Sequence, residues 1–227
     1  MKKLYIMIAS LMLIVPALTS QAQEQDDAFA VWNCVKMDKS LGKEKKWNVG
    51  IMTEYRHKMH EGVSKMDQYF VRPHVSYKVL PWLKLQYQMD FAAASSGFNW
   101  CFLPEVSMTH KVGDFTLAFR QRALTTWRVK VRTNSTVLRS RAKIEYRIPK
   151  TPLGVHVSTE PYWCDFSKDS FEWFQKLRTH AGVSFKIADD LTLTTEYGWM
   201  AYFNHNGQYD RRIYDDHVLY FTLAVKL

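Results

Sequence analysis

The stretch VLRSRAKIEYRI, residues 137–148, alternates without a break. Arg139, Arg141, Lys143, Glu145 and Arg147 share one face; Leu138, Ala142, Ile144 and Tyr146 share the other. That period of two belongs to a β-strand, whose side chains point to opposite sides in turn. So many charges in a row on one face exceed what solubility asks of a sheet. The rest of the chain decides whether this face meets bulk water or an enclosed interior.

The same pattern recurs from end to end. In WNVGIMTEYR (47–56), Trp47, Val49, Ile51 and Tyr55 oppose Asn48, Gly50, Glu54 and Arg56. In QYFVRPHVSYKV (68–79), Tyr69, Val71, Val75 and Tyr77 oppose Arg72, His74, Ser76 and Lys78. LKLQYQMDF (83–91) alternates strictly, with Lys84, Gln86, Gln88 and Asp90 on its polar side. Further segments carry Glu105, then Arg120 and Arg122, then His156, Ser158 and Glu160, then Lys176, Arg178, His180 and Lys186, then Glu196, and finally Asp216. This makes about ten segments of roughly nine to fifteen residues, longer than the ~5–6 residues usual in globular sheets and matched to a tilted bilayer crossing. The pattern predicts an all-β, antiparallel, up-and-down transmembrane β-barrel of about 10 strands, with 12 as the upper bound.

The first residues, MKKLYIMIASLMLIVPALTSQA, form a basic start, an apolar run from Leu4 to Val15, and small residues at Ser20 and Ala22. Together these predict a cleaved export signal over 1–22 and a single barrel domain over 23–227. No later window reaches the ~20 apolar residues of a spanning helix. The formal net charge is +9. A basic, aromatic-rich chain invites a nucleic-acid reading, but export and the spreading of the charges along strands exclude it. Cys34, Cys101 and Cys164 lack metal-ligand spacing; an exported chain could oxidise one pair and leave one thiol over.

The connections alternate as well. LPW, VGD, PKTPLG and ADD are short and rich in turn formers, whereas HKMHEGVSKM, TTWRVKVRTN, CDFSKDSFE and NHNGQYDRRIY are long; AASSG is the exception. Short periplasmic turns and long external loops would give this alternation, with both chain ends on the periplasmic side. Residues 28–41 resist assignment. They fit an extra N-terminal strand, which would make the count odd and put its start outside, a lumen insert, or one partner of a missed twelfth strand. The final YFTLAVKL sets Phe221, Leu223, Val225 and Leu227 on one face, similar to the signal read by outer-membrane barrel-assembly machinery, although the last residue is not aromatic. Trp82, Trp100, Trp127, Trp163 and Trp199 fall near strand ends, where aromatic belts sit. Alternation alone leaves open a soluble exported barrel or sandwich with the faces reversed.

With the strands placed, the chain resembles the domain-of-unknown-function 2490 family of small Gram-negative outer-membrane proteins. The carrying residues are Trp32, KKW at 45–47, EYR at 54–56, LRSRAKIEYR at 138–147, STEPYW at 158–163 and LRTHAGVSFKI at 177–187. The resemblance implies a barrel in the outer membrane, with that membrane's lipid and the barrel-assembly machinery as its partners. The family has no established activity, so it transfers no catalytic residue.

The sequence offers no cofactor motif and no catalytic or metal site. His74 with Ser76, His156 with Ser158, and His180 with Ser184 could in principle serve a lipid hydrolase. Residues two apart on a strand, however, lie about 6–7 Å apart, too far for direct proton transfer. His57, His60 and Glu61 read as exposed loop residues. The expected charge network comprises Glu54 and Arg56, Arg72, Glu105, Arg120 and Arg122, Arg139, Arg141, Lys143, Glu145 and Arg147, Glu160, Arg178, and Glu196. Its basic excess suits either a salt-bridged, largely plugged lumen or a narrow anion passage or acidic-ligand site. Barrels of about eight strands are filled by side chains, which favours the plug.

Overall fold

The computed structural model describes residues 28–60, 63–94, 97–128, 134–167, 170–203 and 212–227. The expected export segment, and Glu61 among the loop residues, lie outside them. The described residues form eleven strands: β1 (Ala28–Leu41), β2 (Trp47–His60), β3 (Val63–Leu80), β4 (Leu83–Ala94), β5 (Gly97–Val112), β6 (Phe115–Arg128), β7 (Asn134–Arg147), β8 (Leu153–Ser167), β9 (Ser170–Ala188), β10 (Leu191–Phe203) and β11 (Arg212–Lys226). Each pairs antiparallel with the next, and β1 closes the barrel against β11. With an odd number of alternating strands, first and last point the same way. The closing pair is therefore parallel, in register from Ala28↔Asp216 to Asp38↔Lys226.

This closure decides among the alternatives for residues 28–41 in favour of the extra N-terminal strand, and it corrects the ten-strand expectation that both chain ends share a rim. Residues 28–41 are a full wall strand, the one that takes the count from ten to eleven. The start of β1 and the end of β11 lie on opposite rims, not on the same one. Phe29, Ala30, Val31 and Trp32 are apolar on both faces, and this hides the period of two in the sequence. Ala30 and Trp32 turn inward, where they pack with Met200, Val218 and Tyr220 into an apolar seam inside the barrel.

The long connections also need correcting. β2 runs on to His60 and β3 begins at Val63; β8 runs to Ser167 and β9 begins at Ser170. Much of what reads as loop is strand rising above the barrel waist. The pairing slips between Arg56/His57 and between Tyr162/Trp163 on this side, and such irregularities blur alternation. At the other rim the links are as short as Pro81–Trp82 and Gly113–Asp114. Gly113 has φ +59°, the left-handed value that favours glycine at the first central position of a tight hairpin.

Facing is unambiguous. Ile51, Leu85, Leu117, Phe119, Ile144, Val157 and Val183 are exposed on the outside. Glu54, Arg72, His74, Asp90, Glu105, Arg122, Glu160 and Arg178 are buried inside. An ordinary soluble barrel has the reverse arrangement. The three cysteines are buried and free.

Candidate functional site

The interior charge pattern begins from a conflict in register. β6 and β7 place Arg120 opposite Arg141 and Arg122 opposite Arg139. Like charges facing each other across a strand pair are destabilising. Acids on the flanking strands resolve the conflict. On the β5 side, Glu105 is in register with Arg122 and accepts both its Nε, at 2.9 Å, and its Nη2. On the β8 side, Glu160 accepts Arg120 at 2.6 Å and Arg139 at 2.9 Å, with Arg178 of β9 at 3.8 Å. Glu160 is 2% exposed and serves guanidinium groups from three strands.

Two smaller groups complete the waist. Arg72 donates to Glu54 at 2.6 Å and to Asp90 at 3.1 Å, and Arg56 donates to Glu54 at 2.6 Å and to Gln68 at 2.9 Å. Glu196 lies 2.6 Å from His156 Nε2 and 3.4 Å from Arg141, which bridges β7 to β10 across the lumen. Gly182 makes room for Glu196: a Cβ there would come within 2.7 Å of the glutamate Cγ and 2.6 Å of the Thr195 carbonyl. Gly198 likewise leaves space for the Tyr220 ring, at 2.7 Å from a built Cβ. We expect Gly198→Ala to cost about 1–3 kcal/mol through overpacking, read as a lower unfolding midpoint of the detergent-folded barrel. An unchanged midpoint would mean that Tyr220 can swing away freely.

The expected network residues thus divide. Glu54, Arg56, Arg72, Glu105, Arg120, Arg122, Arg139, Arg141, Glu160, Arg178 and Glu196 meet in the waist. Among the described residues Lys143 and Glu145 pair only with each other, at 3.0 Å, nearer the turn rim. Arg147 is exposed on that rim. Ser158 accepts Arg141 at 2.9 Å, and His156 and His180 both face Glu196, at 2.6 and 3.9 Å. Among the described residues no group of three metal-ligating side chains converges.

An aromatic layer that the expected network does not include lies just above the waist. Arg56 lies 3.5 Å over Trp32, Arg139 4.4 Å over Tyr162, and Lys176 4.3 Å over Tyr162. These rings sit at inward positions, Tyr162 two residues beyond Glu160, so carrying the alternation through would have found them. Attention to polar residues alone passes over them. Below this layer a cavity of about 440 Å³ runs through the ion pairs; above it a smaller one of about 220 Å³ opens toward the loop rim.

Residues 29–212 match the family described as a protein of unknown function (DUF2490). The chain belongs to that family. The match runs from β1 through β10 and takes in the ion-paired residues of the waist, whereas all of β11 but Arg212 lies beyond it. Among solved structures, the NanC porin is 14% identical, over 87% of this chain and 99% of its own, with a TM-score of 0.52. OmpT, an outer-membrane protein of Vibrio cholerae, is 12% identical over 74% of this chain, with a TM-score of 0.41; the match spans 59% of OmpT. At such identity the likeness to NanC concerns the fold. No curated protein matches the chain.

Proposed function

We propose that this family member is an outer-membrane β-barrel whose net basic lumen is closed at its waist by ion pairs. The observation that carries the reading is the facing: aliphatic side chains outside, charges inside. In a bilayer the exterior band would meet hydrocarbon, and exposed Trp47, Trp82 and Phe115 toward one rim and Trp100, Trp127 and Trp173 toward the other would sit at its two interfaces. Resemblance in fold to the NanC porin agrees with this. The outward row of Phe221, Leu223 and Val225 on β11 would be what the assembly machinery reads.

Closure rests on the reach of the side chains. Arg120 spans from β6 to Glu160 on β8, and Arg141 from β7 to Glu196 on β10. The central cavity is lined by seven arginines and three lysines against five carboxylates among the described residues. That excess favours a narrow anion passage as the second reading. Planar-bilayer recording on the refolded protein separates the two. We expect insertion without steady conductance, from a protein that fractionates with outer membranes and migrates faster on gels when unheated. Steady, anion-selective current would replace the plug by the passage. Recovery as a soluble species without detergent would overturn the membrane reading itself.

A further inference from the structure

We propose that the loop-side half of the lumen binds a small oxyanion, a carboxylate or phosphate group, through Lys176, Arg178 and the hydroxyl of Tyr220. The proposal rests on the ion-paired waist described above, because that pairing is what leaves these donors with spare capacity. β9 turns Lys176 and Arg178 inward, opposite Tyr162 and Glu160 of β8 on one side and Tyr202 and Met200 of β10 on the other. Lys176 Nζ sits over the rings of Tyr162, at 4.3 Å, and Tyr202, at 5.2 Å, and among the described residues it has no carboxylate partner. Arg178 donates its Nε to the Met200 thioether at 3.2 Å, a weak acceptor. Its carboxylate, Glu160 at 3.8 Å, is already held more closely by Arg120 and Arg139. Among the described residues the Tyr220 hydroxyl is buried with no hydrogen-bond partner.

Burial makes an unanswered donor such as the Tyr220 hydroxyl costly, and Lys176 and Arg178 line the same cavity without a close carboxylate of their own. Lys176 and Arg178 line both the central cavity and the smaller one above it, and Tyr220 lines the central one. The carboxylates of the upper cavity do not answer them: Asp216 faces Lys58 at 3.7 Å, and Asp67 makes no ion pair with either cation. An anion with two or more oxygens would meet the guanidinium fork, the ammonium and the phenol together. Trp32, Tyr162 and Tyr202 would shield it from water. All three donors face the lumen, so the ligand is a free solute and not a lipid headgroup on the outer wall.

The test uses the full barrel folded in detergent, with chloride holding ionic strength constant while inorganic phosphate or acetate is raised. Unfolding is followed by tryptophan fluorescence. In the wild type at least one of the two anions should raise the unfolding midpoint along a saturating curve, as a ligand of the folded state must. Lys176→Gln should start no less stable than the wild type and lose the saturable rise. Tyr220→Phe, which keeps the ring and so serves even if the lysine variant fails to fold, should shift the half-saturating concentration upward severalfold. No saturable rise with either anion, or an equal rise in both variants, would overturn the site. A folded, heat-modifiable barrel that ignores both anions sinks this inference alone, whereas a chain that never enters membranes sinks the preceding one.

Discussion

Glu160→Gln is expected to destabilise the barrel by about 3–5 kcal/mol, the usual loss when one partner of a buried ion pair is removed. The carboxylate is 2% exposed and holds Arg120, Arg139 and Arg178 from three different strands. Glutamine keeps the shape and removes the charge. Arg139 then has no acid within reach among the described residues, and Arg120 keeps only Glu105 at 3.8 Å. The register makes the loss worse, because Arg122 and Arg139 face each other directly. Arg139→Gln is the control: it leaves Glu160 with two guanidinium partners and relieves one like-charge contact. It should cost only about 1–3 kcal/mol, as for a hydrogen bond to a charged group. Urea unfolding in detergent or vesicles gives both numbers. Equal losses would mean that water and salt already screen the waist.

Val157→Arg is expected to cost about 2–4 kcal/mol if Val157 lies near the bilayer midplane, and less toward an interface. Val157 is 49% exposed, between exterior neighbours Ile144 and Ala181, while the side chain of adjacent His156 is fully enclosed. In water an arginine at such an exterior site would cost almost nothing. The substitution therefore reports what bathes the outer wall. Unfolding from lipid vesicles should show the full penalty, and a neutral result there would mean that the wall is wet.

The facing of nearly every strand was legible because a period of two survives wherever one face is apolar and the other charged, as in 83–91 and 137–148. β1 was legible only as one of three possibilities, since Phe29 to Trp32 are apolar on both faces and the parallel pairing with β11 is what shows where they belong. Identity of the charged residues was legible too, but their partners were not. Arg141 and Glu196 are separated by 55 positions in the chain, and nothing local in a strand says which acid an arginine will reach across a closed barrel. Arg147 shares its parity with Arg139 yet ends on the rim, because parity gives the side of a strand and not the height. That Lys176 has no carboxylate and the Tyr220 hydroxyl no hydrogen bond among the described residues was illegible for the same reason: lacking a partner is a property of the whole lumen.

The parallel seam between β1 and β11 has a topological consequence. Barrels gain and lose wall in hairpins, two strands at a time, so an odd wall cannot be reached from an even one by duplicating or deleting hairpins. Removing β1 alone would leave β2 and β11 facing each other antiparallel, as in an even-numbered wall. The seam also forbids circular permutation by a short linker. The start of β1 and the end of β11 stand a strand length apart, about 30 Å or more at ~3.3 Å per residue. Any covalent bridge between them would have to thread the lumen or run down the apolar outer wall.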